Sequence, residues 1–457
     1  MSLSKFNGLE LPASADFHVH LRDGAMMETV VPTIKKGGVN TVYVGVVMWL
    51  SLRGLYVGEL ETRGWVSMFL EYYGGGDISL YIELFQKPRF NGRLNFTFSI
   101  NGPRYSLGAG GKISMPNLVP PVTSSSDAMA YQARLRAIDP SINYLMTLYL
   151  HPSITPAVIR GAKAQGIVGV KSCKFLNPNH DQLPKHALST NSIANTSNFS
   201  DPAGVTTNSS SGVISYEPFY PVFTAMEQCG MVLNLHGECP SDHDKNITIL
   251  NAESSFLPTL KSLHEKFPNL KIVLEHCTTK EAVEAVKSCG PNVVGTITAH
   301  HLFLTVDDWA DDAFCFCKPV AKWPSDRTAL IHAALSGTGK FFLGSDSAPH
   351  PISSKKGGTG KTAAGVFTQA NVTSLILDAF ELAIERKLIK EEDVTKEILE
   401  GFLSGYGREF YGVKDLSGEK IVLRKGEEKI QELITGKEGV EVVPFRRGMG
   451  TWSVEWK

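Results

Sequence analysis

The feature that most constrains this chain is a recurring alternation of two kinds of segment. Short apolar runs rich in β-branched residues occur at Ala15–His20, Thr41–Val44, Asn143–Leu148, Ile167–Lys171, Met231–His236, Lys271–His276, Val293–Thr298 and Phe341–Asp346, eight in all. Amphipathic helical patterns separate most of them, at Asp127–Ile138, Thr155–Gln165, Tyr220–Cys229, Phe256–Phe267, Lys280–Ser288 and Arg327–Leu335. Parallel strands need a crossover connection, so strands that alternate with helices imply parallel βαβ units. Eight such units imply a closed α/β barrel, a TIM-like (β/α)8 fold. Most of the runs end on a polar or ionisable residue, and the C-terminal strand ends of a barrel carry its active site.

Beyond Asp346 come a Gly/Lys/Ser loop and helical sequence from about Thr368 to Tyr406. The expected layout is a barrel over residues 1–415 and a peripheral C-terminal segment, Leu416–Lys457, packing outside it. Two stretches break the rhythm and read as long inserted loops. Gly45–Ser114 is rich in aromatics and glycine with no clean helix or strand period. Cys173–Asp201 is rich in Asn, Ser, His and Pro and reads as loop.

Lys and Arg number 45 against 46 Asp and Glu, so bulk charge attracts neither nucleic acid nor an anionic membrane. No run of 18 apolar residues marks a membrane span, and Met1–Asp16 lacks the pattern of a secretory signal. The seven cysteines form no repeated framework, which fits reduced thiols in a cytoplasmic protein.

His18 and His20 lie two apart on one run, so their imidazoles point to one side of a strand. An isolated His-x-His is more often a pair of ordinary histidines than a metal grip. Here His236, His276 and Asp346 each end a different run, and four imidazoles and a carboxylate at barrel strand ends make a nitrogen and oxygen donor set that suits zinc. Lys171 also ends a run; taken alone it is an ordinary strand-end lysine.

The ordered segments FHVHLRDG (Phe17–Gly24), MPNLVPPVT (Met115–Thr123), PAGVTTNSSSGV (Pro202–Val213), LHGE (Leu235–Glu238), EHCTT (Glu275–Thr279), TITAHHL (Thr296–Leu302) and GSDSAPH (Gly344–His350) resemble dihydroorotase, of the single-function fungal and bacterial type in the amidohydrolase superfamily. The resemblance covers nearly all of the chain outside the two irregular stretches. It implies two Zn2+ ions per chain. His18, His20 and Asp346 would hold one, His236 and His276 would complete the other, and Lys171, carboxylated on its amine, would bridge them. It also implies that Asp346 is the catalytic general base and then acid. Arg22, Asn117, His350 and Ala364 would serve the substrate carboxylate, Thr206 and Thr207 a loop over the substrate, and backbone groups near Lys318 the ring. The guanidinium fork of Arg22 suits a carboxylate. The implied reaction is the reversible hydrolysis of L-dihydroorotate to N-carbamoyl-L-aspartate, the third step of pyrimidine synthesis, in a homodimer whose partner is a small-molecule substrate.

Two other readings compete. One is another cyclic amidohydrolase, of dihydropyrimidinase or allantoinase type; the pair Arg22 and Asn117 argues instead for a ring bearing a carboxylate. The other is a catalytically impaired barrel. Removing 45–114 and 173–201 leaves 358 residues and rejoins the family motifs, so both stretches read as additions such as retained introns or gene-model errors. GGTGKT at Gly357–Thr362 lacks the first glycine of a phosphate-binding loop, and Cys315 and Cys317 have the wrong spacing for a zinc knuckle. His300 and His301 receive no role from sequence.

Overall fold

The computed structural model describes residues 3–45, 122–173, 213, 215–356, 362–415, 417–426 and 428–457, and the backbone of strands at 65–73, 77–85 and 91–99. Eight strands form the barrel: β1 (Ser14–Val19), β2 (Val39–Val44), β3 (Asn143–Leu145, resuming at Thr147–Tyr149), β4 (Gly169–Ser172), β5 (Val232–His236), β6 (Ile272–Glu275), β7 (Val293–Ile297) and β8 (Phe341–Leu343). Every pairing between them is parallel and follows chain order. The ring closes where Asp346 N donates to His18 O at 2.7 Å and His20 N to Ser347 O at 3.0 Å. The strands are buried on both faces, as helix-covered parallel strands must be.

The barrel matches the expected fold class, and the departures lie at strand ends. β6 stops at Glu275 and β8 at Leu343 because His276 (φ 44°) and Asp346 (φ 46°) stand in the left-handed region. β1 carries a register shift between Asp16 and Val19. That irregularity lets Phe17 join the barrel floor while its neighbour His18 joins the site above. Phe17, Tyr43, Leu145, Val232, Val273, Val294 and Phe342 fill the interior with Tyr411. Phe17 stacks on the Tyr411 ring at 5.1 Å, and the helix Tyr406–Tyr411 packs against the floor of the barrel. Gly344 permits the close approach of β8 to the site: a Cβ there would lie 2.7 Å from Thr296 Cβ and 3.1 Å from His18 Cβ.

The C-terminal segment is less separate than expected. Residues Lys420–Arg424 pair antiparallel with both Glu10–Pro12 and Ser453–Trp456, so the two ends of the chain share one small sheet. The compact unit holding the barrel is Met1–Trp49 with Met115–Lys457, and Leu50–Ser114 forms a unit of its own.

The reading of Gly45–Ser114 as aperiodic is corrected. Trp65–Tyr73, Asp77–Phe85 and Asn91–Ser99 form a three-stranded antiparallel sheet. A period of two is present in the sequence: Ile78, Leu80, Ile82 and Leu84 alternate with Ser79, Tyr81, Glu83 and Phe85. The aromatics on the alternate positions hide it. Of the second stretch, only Cys173 falls among the described residues. No helix among the described residues is long and apolar enough to cross a membrane.

Candidate metal centre and substrate pocket

His18, His20, Lys171, His236, His276 and Asp346 come from five strand ends and meet at one end of the barrel. His18 Nε2 and His20 Nε2 lie 3.2 and 3.0 Å from the same Asp346 oxygen, Oδ1. Across the site, His236 Nδ1 faces His276 Nε2 at 3.1 Å. The His276 ring also packs edge-on to His18, with centroids 5.2 Å apart, so the two groups form one cluster. Lys171 pairs with Glu275, and both are almost fully buried.

Two carboxylates that the sequence reading left unassigned stand on the outer nitrogens. Glu275 Oε1 lies 2.9 Å from His18 Nδ1, and Glu238 Oε2 lies 2.8 Å from His236 Nε2. Glu238 is hydrogen-bonded to His236, and a carboxylate so placed fixes the ring and its tautomer and leaves the other nitrogen's lone pair for a metal, whereas Glu275 lies close to His18 Nδ1 without a hydrogen bond. The signal was legible in part: Glu275 and Glu238 sit next to ligand-type histidines in EHCTT and LHGE.

Electrostatics support the same reading. Burial pushes the four imidazoles down, His20 to about 4, so they are neutral near pH 7 as metal ligands must be. Burial alone would raise Asp346, but the His18 and His20 imidazoles hold its carboxyl well below the usual range. Burial pulls the Lys171 ammonium down to about 8, which brings the neutral amine within reach of neutral pH. His20 Nδ1 and His276 Nδ1 are buried without a hydrogen-bond partner, and Lys171 Nζ has none beyond the close approach of Glu275. Ligand atoms of His18, His20 and Asp346 lie within 4.8 Å of one another. This donor set fits zinc.

A second polar cluster adjoins the centre. Arg22 (φ 62°) donates from Nε to Pro349 O at 2.9 Å, and its Nη2 lies 3.1 Å from His350 Nε2. His350 Nε2 stands between the Ala364 carbonyl, 2.9 Å away, which can only accept, and the Arg22 guanidinium, which can only donate. Burial and the Arg22 charge hold the imidazolium form of His350 well below its usual range. Arg22, His350 and Ala364 are thus brought together as expected. Lys318 precedes Pro319, whose carbonyl is 3.1 Å from His301 Nε2 and accepts from Cys317 Sγ at 3.2 Å. His301 and Cys317 are therefore engaged in fixing the segment beside Lys318, a role the sequence reading missed because it depends on a fold contact. Asn117, Thr206 and Thr207 lie outside the described residues.

No family model matches the chain. A probable dihydroorotase from Schizosaccharomyces pombe is 39% identical over 98% of this chain and 99% of its own. The crystal structure of a dihydroorotase from Saccharomyces cerevisiae, solved with 5-fluoroorotic acid, is 35% identical, covers 98% of this chain and 99% of its own, and superposes with a TM-score of 0.71. An L-hydantoinase from Arthrobacter aurescens superposes with a TM-score of 0.62 at 13% identity over 98% of this chain and 84% of its own, a likeness of fold alone. Identity at this level over nearly the whole of both chains goes with dihydroorotases and not with the hydantoinase type, and the chain belongs to the dihydroorotase family.

Proposed function

We propose that this chain interconverts L-dihydroorotate and N-carbamoyl-L-aspartate at the cluster of His18, His20, Lys171, His236, His276 and Asp346. The observation that carries the reading is the convergence of these six side chains beside the Arg22 and His350 pocket, in a member of the dihydroorotase family. His18, His20 and Asp346 would hold one zinc ion and His236 and His276 a second, with Lys171, carboxylated on Nζ, between them. Zinc when bound is a Lewis acid that acidifies water and polarises a carbonyl.

The chain's own residues do the rest. Arg22 presents its guanidinium N–H groups to the substrate carboxylate, with His350 held beside that guanidinium, and this sets the ring's orientation toward Asp346. The Asp346 carboxylate, ionised because two imidazoles face it, takes the proton from the attacking water and returns it to the departing ring nitrogen. Backbone groups near Lys318 would line the ring, and Ala364 would assist at the carboxylate. The family resemblance assigns Asn117 to the carboxylate and Thr206 and Thr207 to a loop over the substrate. Burial of the cluster excludes bulk water from the reacting bond.

Hydrolysis of L-dihydroorotate by the purified chain, with its zinc content measured on the same sample, tests the reading. Turnover with about two zinc ions per chain supports it. A zinc-loaded chain without turnover leaves the impaired reading in place. The seven cysteines form no repeated framework in the sequence, which supports a reducing, cytoplasmic setting. The family resemblance supports a homodimer, which light scattering of the purified chain checks.

A further inference from the structure

Lys355 is 2% exposed and ends the short helix Ile352–Lys355. Its ammonium donates to three backbone carbonyls: Gly365 at 2.8 Å, Ala363 at 2.9 Å and Phe316 at 2.9 Å. An ammonium has three donors, and all three are spent here on main chain. The carbonyls belong to two separate segments. Phe316 stands two residues before Lys318, and Ala363 and Gly365 flank Ala364. The Gly365 N–H also donates to Phe316 O at 3.0 Å, so the two segments are already adjacent, and the lysine fastens them from a third side.

The fastened segments hold the proposed substrate-binding residues. Ala364 O holds His350, and His350 faces Arg22. Gly365 (φ 154°) has no room for a side chain: a Cβ would lie 2.4 Å from Ala348 O and 2.9 Å from His350 Cδ2. Any drift of residues 363–365 therefore displaces the His350 ring directly. A methionine of similar length would fill the space more cheaply than a buried ammonium, so a charge retained here is explained by what its donors hold in place.

We propose that Lys355 is a positioning residue for the substrate pocket, stapling the segment beside Lys318 to the segment beside Ala364 so that His350 and Arg22 meet the substrate carboxylate in register. The proposal rests on the dihydroorotase reading above and extends it to a residue that touches neither substrate nor metal.

The test uses the zinc-loaded full chain and Lys355→Met, assayed in both directions with L-dihydroorotate and N-carbamoyl-L-aspartate. The expected result is KM raised by about tenfold or more for both substrates, kcat lowered by less than about threefold, and zinc content at the wild-type level. That split separates a pocket-positioning role from a general loss of structure, which lowers kcat and zinc together. Lys355→Gln keeps part of the donor set for the same carbonyls and is expected to give a smaller KM-weighted loss of the same kind, so the proposal stays open to refutation if Lys355→Met fails to fold. Unaltered KM in a folded Lys355→Met, or loss confined to kcat, overturns the proposal while leaving the reaction assignment intact. An inactive wild-type chain at full zinc content would instead overturn the reading on which it rests.

Discussion

Among the described residues, seven non-glycine positions have positive φ, and three of them are Arg22, His276 and Asp346. Such a conformation costs about 1 kcal/mol or more per residue. It persists here because each turns a side chain inward just where its strand has ended. Alternation along β6 would send Glu275 and His276 to opposite faces; the left-handed turn brings both to the cluster. The ligand-type residues were readable in sequence because each closes an apolar run. Glu238 and Glu275 were legible only in part, as carboxylates near ligand-type histidines, and Lys355 was not, since its partners Phe316, Ala363 and Gly365 are brought to it by the fold. Glu238 offers the direct test. Glu238→Gln should lose zinc about tenfold more readily to a competing chelator, in line with other carboxylates behind ligand histidines, with an unchanged circular dichroism spectrum. Equal zinc retention would mean that the contact with His236 does not orient the ring.

The helix Ser125–Ile138 shows how an element sets a site from outside it. Tyr131, 2% exposed, donates its hydroxyl to the Arg22 carbonyl at 2.5 Å, and Arg134 pairs with Asp23 at 3.0 Å. Together they brace the strained turn that carries Arg22. Tyr131→Phe is expected to cost about 1 kcal/mol of stability, as for one buried hydrogen bond, and to raise KM several-fold with little change in kcat. Steady-state kinetics and a denaturant titration measure both. A variant with wild-type KM would show that Arg22 holds its place without the brace. The helix was legible from its amphipathic period, but its contact with Arg22 was not, because 109 residues separate the partners. The inserted stretches are also placed by element contacts. Val213 N donates to Cys173 O at 2.9 Å, so the chain leaves β4 and returns to the same spot. At the other stretch, Gly45 N donates to Val19 O at 2.8 Å, so the chain leaves the barrel beside β1.

The barrel is expected to tolerate the insertions or their removal, since loop length costs only about 0.6 kcal/mol per doubling. The 358-residue chain lacking 45–114 and 173–201 should therefore fold to the same barrel and turn over dihydroorotate with a higher kcat/KM than the full chain. Equal or lower kcat/KM would show the stretches to be part of the working enzyme. Acid stability is a second property of the whole molecule. Burial lowers seven histidines, His18, His20, His236, His276, His300, His301 and His350, with His20 and His300 at about 4. Between pH 6.5 and about 4 the unfolded chain binds more protons at these groups, so stability falls as pH falls. Asp16 and Asp378, raised by burial to about 6, and Glu253, also raised, act in the opposite direction. Seven against three sets the sign. The Tm of the metal-free chain should drop steadily from pH 7 to 4.5, and a flat profile would contradict the burial of neutral imidazoles.

The sequence by itself determined the barrel, because eight strand-length runs alternating with helical periods leave few other ways to bury so many apolar faces. It also determined which residue types stand at the strand ends. Only the tertiary structure decided which of them face one another, because that depends on the bulge in β1, the left-handed turns at His276 and Asp346, and the closure of β8 on β1. These are geometric consequences of closing a ring of strands, and contacts between residues far apart in the chain, such as Lys171 with Glu275 or Tyr131 with Arg22, exist only once that ring is closed.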